Sequence, residues 1–209
     1  MTETNTATAL LDAAEVEFAK RGIPDASLRS IMRAADANPA AVHYHYGSRE
    51  ALAREVLERV LRPLNDRRLE LLDELEPRIA AGDVTIAELL EALVRPDLEA
   101  VIALRKRNPA ATNLAGAIYA WPSLFVKALV EEHFAPVARR FLPAMVTAAP
   151  GINPSELSWR VRWCVFGVLG ALLSDDEFTV DPGDLDAKLN QIVTAASGAL
   201  TAPQPGRSN

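Results

Sequence analysis

The chain has 209 residues and a formal net charge of −6, with 49% hydrophobic and 24% charged residues. This composition is typical of a globular protein with a buried core and excludes a disordered or fibrous chain. The longest apolar run, residues 163–173, is shorter than the roughly 20 residues that a membrane span requires. The single cysteine excludes an intrachain disulfide and a multi-cysteine zinc site. Because the first residues lack a basic and then apolar leader, we expect a cytoplasmic protein.

The charge is distributed unevenly along the chain. Residues 1–68 carry ten basic and ten acidic groups, so the whole net charge of −6 belongs to residues 69–209. Within residues 20–62 there are eight basic and five acidic groups, a local excess of positive charge. Since a basic region attracts phosphate, the N-terminal part is the candidate for an anionic partner.

Helical periodicity recurs along the chain, whereas the alternation typical of strands is sustained nowhere. The sequence predicts a first helix that ends near Gly22, a second at about 27–35 and a third at about 39–46. Ser48 begins a fourth helix. We expect this helix to continue through Pro63 with a kink, because the arginine before the proline would be a poor N-cap for a new helix.

The remainder of the chain is also predicted to be helical. Thr85 and Glu88 have the spacing of a capping box, which opens a helix that reaches about residue 107. The last two helices are expected at about 155–174 and 185–200. The predicted fold is therefore all-α, with about nine helices. It divides into an N-terminal domain at 4–64, a larger helical domain at 65–201 and a frayed tail at 202–209.

The second and third helices are joined by three residues and have the proportions of a helix-turn-helix, with the reader at 27–46. The second helix of such a motif presents side chains to the major groove, and here His43 can reach a base or a phosphate. Two residues are small enough to let the helix approach base edges closely: Ala40 and Ala41. Four others can donate hydrogen bonds to phosphate oxygens: Tyr44, His45, Ser48 and Arg49. The structural alternative is a helical hairpin of an ordinary bundle.

An aromatic-rich third helix followed by Gly-Ser-Arg-Glu is the most specific motif of the chain. It lies within the stretch from Asn38 to Leu52, and it follows Leu10 to Phe18, Gly22 and Ser27 to Ile31. Through these stretches, residues 7–64 resemble the tetracycline-repressor (TetR) family of transcriptional regulators. The family's usual Tyr-His-Phe ends in Tyr46 here, and its usual lysine after the serine is Arg49.

The resemblance implies a role for each matching position. Ser27 and Arg29 would contact a phosphate or a flanking base. A second group would face the groove: Asn38, Pro39, Ala40, Ala41 and His43. A third would bind the DNA backbone: Tyr44, His45, Ser48 and Arg49. The core would include Phe18, Ile31, Val42 and Tyr46.

Metal binding and catalysis are not expected. His43 and His45 are two residues apart, which places them about 200° apart around a helix, so they cannot share one ion. No cofactor is implied. Cys164 lies in an apolar run and is expected to be a buried small hydrophobe. An all-α enzyme would require titratable residues that converge on a pocket, and it is a distant alternative.

The apolar residues of the C-terminal part have three interpretations. Trp159, Trp163 and Phe166 share one helix face, which favours a core position. Alternatively, some aromatic residues line a ligand cavity between helices: Tyr119, Trp121, Phe125, Trp159 and Trp163. The resemblance implies a dimer interface on the last two helices, for which the candidates are Gly167, Gly170, Leu185, Leu189 and Ile192. The division of the aromatic residues between pocket and interface stays open at this point.

These features together predict a one-component transcriptional repressor. We expect a homodimer that binds a palindromic double-stranded DNA operator and is released by a small-molecule effector, largely apolar, that enters the C-terminal domain. The alternative class is a helical dimer that acts through protein or small-molecule binding alone. The small size of the basic excess favours that alternative slightly.

Overall fold

The computed structural model describes residues 3–38, 40–107, 124–173 and 184–203, and within these ranges all regular structure is helical. This confirms the predicted all-α fold. Eight helices are present there: α1 (Glu3–Asp25), α2 (Leu28–Ala34), α3 (Ala41–Tyr46), α4 (Arg49–Ala81), α5 (Ile86–Arg107), α6 (Leu124–Ala148), α7 (Pro154–Leu173) and α8 (Leu185–Thr201). None of the described helices is both long enough and apolar enough to cross a membrane.

The chain divides into two compact units, and each unit is assembled from two segments. Unit 1 comprises Met1–Asn65 and Val101–Phe134, and unit 2 comprises Asp66–Ala100 and Ala135–Asn209. Helices α4, α5 and α6 therefore each contribute residues to both units.

Unit 1 is built around the N-terminal helices. Helix α1 contacts both α2 and α3, and α2 contacts α3. The helical geometry of α1 is interrupted at the predicted position, Gly22, whose φ of 74° suits a residue without a Cβ atom. Of the residues predicted for the core, Phe18, Ile31 and Val42 are buried there, and Tyr46 packs against them partly buried. Further residues of α1 and α4 and one residue of α6 complete this core: Leu10, Ala14, Leu52, Leu57 and Leu129.

Helix α4 is one continuous helix of 33 residues that includes Pro63. The prediction that the chain stays helical through this proline is confirmed, and a break with a new helix beginning there is excluded. The kink itself remains a prediction. The capping box at the start of α5 is also confirmed. Thr85 N–H donates to the Glu88 carboxylate at 2.9 Å, and Glu88 N–H donates to the Thr85 hydroxyl at 3.3 Å.

Two buried arginines stabilise unit 2. Arg68 on α4 donates through Nη2 to both carboxylate oxygens of Asp97 on α5, at 2.5 Å each, and through Nε to the Leu93 carbonyl at 2.9 Å. Helix α7 contacts α8, and Arg160 on α7 donates to the Leu200 carbonyl at 2.6 Å. Because the last carbonyls of a helix have no partner within it, Arg160 satisfies one of those at the end of α8.

Candidate nucleic-acid interface

The turn between α2 and α3 has the geometry of a helix-turn-helix. Ser27 caps α2 by accepting a hydrogen bond from Ser30 N–H at 3.2 Å, as its position in the sequence predicts. Asp36 adopts a positive φ of 48°, a conformation that aspartate tolerates, and it turns the chain after α2. Asn38 then accepts a hydrogen bond from Ala40 N–H at 2.7 Å, so its side chain organises the entry into α3.

One face of α3 is buried in unit 1 and the other is exposed. Ala41 and Val42 are buried, whereas Ala40, His43 and Tyr44 are exposed. The assignment of Ala41 to the groove stays a prediction; only 8% of this residue is accessible, and it packs in the core cluster of unit 1. The exposed stripe of this short helix consists of His43 and Tyr44, with Ala40 directly before the helix. Pro39 lies outside the described residues.

His43 is held at the end of α3 by a reciprocal pair of hydrogen bonds. Its Nδ1 lies 2.7 Å from the Gly47 carbonyl oxygen, and Gly47 N–H donates to the His43 carbonyl oxygen at 2.9 Å. The positive φ of Gly47, 76°, turns its carbonyl toward the imidazole. Sequence reasoning missed this contact, although the i, i+4 spacing of a histidine and a helix-ending glycine is a signal that could have indicated it.

The aromatic residues of α3 differ in their surroundings. Tyr44 is 72% accessible, and its ring meets His45 edge-on with 5.0 Å between centroids. Tyr46 is half-buried and donates its hydroxyl hydrogen to the Ala7 carbonyl at 2.7 Å. Burial raises the pKa of Tyr46 above its ordinary value. This contact spans 39 residues of sequence, so no local pattern could have predicted it.

Ser48 and Arg49 follow directly at the start of α4. The Ser48 hydroxyl accepts a hydrogen bond from Ala51 N–H at 3.0 Å and so caps the helix. Arg49 donates from Nη2 to the carbonyl oxygens of Ile23 and Pro24 at the end of α1. From the sequence, Arg49 is expected to bind phosphate. In this structure the guanidinium also ties α4 to the C-terminal end of α1.

The positive charge of the N-terminal part is not spread evenly over unit 1. Three arginines of α4 are engaged in ion pairs: Arg54 with Glu132 at 2.7 Å, Arg59 with Asp12 at 2.8 Å and with Glu15 at 2.6 Å, and Arg62 with Glu58. Arg29 and Arg33 are exposed on α2, the helix that precedes the turn. The local basic excess is therefore offset along α4 and retained near the helix-turn-helix.

Two of the aromatic residues predicted for a ligand pocket have described side chains, Trp159 and Trp163. Tyr119 and Trp121 lie outside the described ranges, as does the side chain of Phe125 on α6. Trp159 and Trp163 lie on the surface of α7, where 55% and 62% of each residue are accessible. An enclosed cavity would have buried them, so their positions do not support the pocket assignment.

The residues predicted for a dimer interface fall into two groups. Gly167 and Gly170 are exposed on α7, and a Cβ atom added at either would meet nothing within 4 Å. Leu189 and Ile192 are buried within unit 2, and Leu185 is half-buried. Leu189 and Ile192 therefore pack inside one chain, and their place in a dimer interface stays a prediction.

Unit 2 contains a small cavity of about 190 Å³ between α4 and α6. Apolar and polar side chains line it: Leu72, Glu76, Ile79, Arg140, Pro143, Ala144 and Thr147. Arg140 donates to Glu76 at 3.2 Å and to Asp73 at 2.6 Å. None of these residues was predicted from the sequence, because the predicted pocket consisted of aromatic residues and this cavity is lined by none.

The described residues offer no arrangement for metal-dependent or thiol chemistry. No group of three or more His, Cys, Asp or Glu side chains that could hold a metal ion occurs in the described part of the chain. Cys164 is buried as predicted, and burial raises the pKa of its thiol, which disfavours the reactive thiolate. The exposed face of α3 lies beside α2, which carries the exposed side chains of Arg29 and Arg33.

This fold and this surface are those of a helix-turn-helix DNA-binding regulator with an additional helical domain. Two family models support that class and make it specific. The model described as bacterial regulatory proteins, tetR family, matches residues 10–56, and the model described as tetracyclin repressor-like, C-terminal domain, matches residues 91–199. The second match alone covers about half of the sequence. The chain belongs to the TetR family of transcriptional regulators.

Solved structures share the fold. NalD of Pseudomonas aeruginosa, the secondary repressor of the MexAB-OprM multidrug efflux pump, has a TM-score of 0.56 and 21% identity, with 91% of this chain and 95% of that chain covered. A TetR-family regulator of Streptomyces coelicolor A3 has a TM-score of 0.52 and 23% identity, with 95% and 96% covered. HlyIIR, a hemolysin II transcriptional regulator, has a TM-score of 0.58 and 19% identity, with 97% and 100% covered. No curated protein matches the sequence significantly.

Proposed function

We propose that this TetR-family regulator is a repressor. It binds a palindromic operator as a homodimer and leaves the operator when a small-molecule effector enters its C-terminal domain. In this proposal residues 4–64 read DNA, and residues 65–201 bind the effector and dimerise. The protein acts in the cytoplasm, where its operator lies, and catalyses no reaction. The observation that carries the proposal is that α3 exposes one stripe of residues while its opposite face packs in the core of unit 1.

The contacts of the helix-turn-helix support DNA binding through rigidity. Ser27 and Ser48 cap their helices, and the Tyr46 hydroxyl fixes α3 to α1. Side chains that are exposed on so constrained a helix lose little further freedom when they meet a base pair, so less binding free energy is spent on ordering them. His43 and Tyr44 are the exposed residues of α3 best placed to contact DNA.

An exposed aromatic face on α7 supports the homodimer. Trp159, Trp163 and Phe166 recur at helical spacing, and Phe166 is 45% accessible. Gly167 and Gly170 continue the same face. Large exposed aromatic residues at adjacent positions are typical of a surface that a partner covers, and the glycines would let a second helix approach closely. We propose that the two tryptophans form part of the dimer interface and do not line an effector pocket.

The assembly of two copies is also what DNA reading requires. A single six-residue recognition helix can contact only a few base pairs. Two copies related by a twofold axis would read two half-sites about one DNA turn apart or slightly more. The symmetry of the operator would then follow from the symmetry of the dimer.

Selection of operators from a pool of random DNA duplexes tests the proposal as a whole. We expect the full chain at physiological salt to enrich an inverted repeat with half-sites about 10 base pairs or slightly more apart, centre to centre. Enrichment of no sequence after repeated rounds would contradict DNA reading. Enrichment of a single half-site without a repeat would contradict the dimer.

Substitution of Trp163 tests the dimer surface separately. Trp163→Ala should shift the protein from dimer to monomer in sedimentation velocity at micromolar concentration, because a buried interface tryptophan typically contributes about 2 kcal/mol or more. Val16→Ala is the matched control, since Val16 is also an exposed apolar residue but lies on α1. An unchanged dimer in both variants would remove the α7 face from the interface.

A further inference from the structure

We infer that His43 reads an exocyclic amino group, N6 of adenine or N4 of cytosine, through an unprotonated Nε2 and does not bind phosphate. The inference rests on the proposed function, and it names the chemistry of one base contact. It depends on the hydrogen bond between the imidazole and Gly47, on the position of His43 in the exposed stripe, and on the donor pattern of the major groove.

The hydrogen bond to Gly47 determines which ring nitrogen carries the proton. A backbone carbonyl oxygen can only accept a hydrogen bond, so the proton in the 2.7 Å contact with Gly47 must lie on Nδ1 of His43. A neutral imidazole has a single N–H. Its Nε2 is therefore an acceptor with a free lone pair, since the partner of one ring nitrogen sets the state of the other.

The orientation of the ring is held by the helix end itself. Gly47 N–H returns a hydrogen bond to the His43 carbonyl at 2.9 Å, so the side chain and the helix end are joined twice. Rotation of the ring to expose Nδ1 would break the contact with Gly47. Nε2 is consequently the ring nitrogen that is left for a partner, on a residue that is exposed on α3.

The surroundings of His43 allow a close approach to base edges. Ala40 precedes it by about one turn and Gly47 follows it by about one turn, and all three residues are exposed. Neither neighbour has a side chain larger than a methyl group. Tyr44 is the other large exposed side chain on this helix, and its phenol carries a hydroxyl that can donate to phosphate.

An acceptor in this position discriminates among the groups of the DNA. Phosphate oxygens, guanine N7 and O6, and thymine O4 are all acceptors. Only adenine N6 and cytosine N4 offer hydrogen-bond donors in the major groove. With its proton on Nδ1, as the contact with Gly47 requires, the ring of His43 can therefore accept from one of these two amino groups, and Nε2 has no hydrogen to offer a phosphate.

The experiment replaces the base that His43 reads. Operators recovered by selection with the wild type and with His43→Ala identify the base pair whose preference depends on His43. We expect adenine or cytosine there. Binding is then measured with purine in place of that adenine, or 2-pyrimidinone in place of that cytosine, each of which lacks the amino group. The affinity of the wild type should fall about threefold to tenfold, as for loss of one hydrogen bond.

Three comparisons separate the contact from other effects of the analogue. His43→Ala should bind the amino and amino-free duplexes equally, because the partner of the amino group is gone. Tyr44→Phe should weaken binding to both duplexes by the same factor and keep the discrimination. Where adenine is the base, 7-deazaadenine retains the amino group and should bind the wild type normally.

The state of the ring is measured without DNA. In ¹⁵N-labelled protein, with His43 assigned by comparison with His43→Ala, we expect the proton of the neutral imidazole on Nδ1. A proton on Nε2, a guanine at the base pair that depends on His43, or an equal loss of affinity for every duplex in His43→Ala would overturn the inference and leave the proposed function standing. A selection that enriches no sequence would overturn both.

Discussion

Removal of the Asp97 carboxylate should destabilise the protein strongly, because it leaves the charge of Arg68 buried. Arg68 is fully inaccessible, and the Asp97 side chain is 5% accessible. Burial raises the pKa of Asp97, while Arg68 acts in the opposite direction. Breaking such a pair typically costs 3–5 kcal/mol. Since the Leu93 carbonyl would still accept from Arg68, we expect about 3 kcal/mol for Asp97→Ala.

Urea unfolding of the full chain, followed by circular dichroism, measures this cost. With a slope of about 2 kcal/mol per molar, a loss of about 3 kcal/mol lowers the midpoint by about 1.5 M. Asp73→Ala is the matched control: it removes a carboxylate that Arg140 contacts at 2.6 Å on the surface of unit 2, and it should cost less than about 1 kcal/mol. Equal shifts in the two variants would refute the reasoning.

Replacing both Arg68 and Asp97 tests whether the instability of Asp97→Ala comes from a buried charge that has lost its partner. In Arg68→Met with Asp97→Leu no buried charge remains, and apolar side chains of similar size occupy the space. Such replacements are often neutral or stabilising, because the desolvation of two ions is no longer required. We expect a midpoint within about 0.5 M of the wild type, at a slope of about 2 kcal/mol per molar. A double variant as unstable as Asp97→Ala would show that the geometry of the pair, not its charge balance, holds α4 against α5.

Three further predictions concern single side chains. Arg78 first, and then Thr85, lower the pKa of Glu88 to about 2, so the stability that Glu88 contributes is present above pH 4.5 and is lost as the pH falls toward 2. The difference in unfolding midpoint between wild type and Glu88→Gln should accordingly shrink from pH 6 to pH 3. Pro63→Ala should change effector-driven release more than operator affinity without effector, as measured by gel shift, because it would remove the predicted kink in α4. An unchanged release would exclude this role. Arg49→Ala should lower the log–log slope of affinity against salt by about one unit if one of its donors other than Nη2 contacts a phosphate. A reduced melting temperature with an unchanged slope would instead confine Arg49 to holding α1.

The sequence by itself determined the elements of this protein and its class. Periodicity, caps and helix-ending glycines are local signals, and they placed the interruption at Gly22, the cap at Ser27 and the capping box at Thr85 correctly. The helix-turn-helix was predictable for the same reason. Its core residues and its aromatic third helix lie within about 50 consecutive residues, and they carried the resemblance that the family matches confirm.

Only the tertiary structure decided which way individual side chains face. Each residue of an α-helix is rotated by about 100° from the one before it, so a difference of one or two positions decides whether a side chain of α3 is buried or exposed. Ala41 is buried and His43 is exposed. Partners distant in sequence decided the rest: Arg49 meets the end of α1, and Tyr46 meets Ala7. The two tryptophans of α7 were ambiguous because an apolar face looks alike in a core, a pocket and an interface. Their exposure depends on what the rest of the chain covers, and no local pattern contains that information.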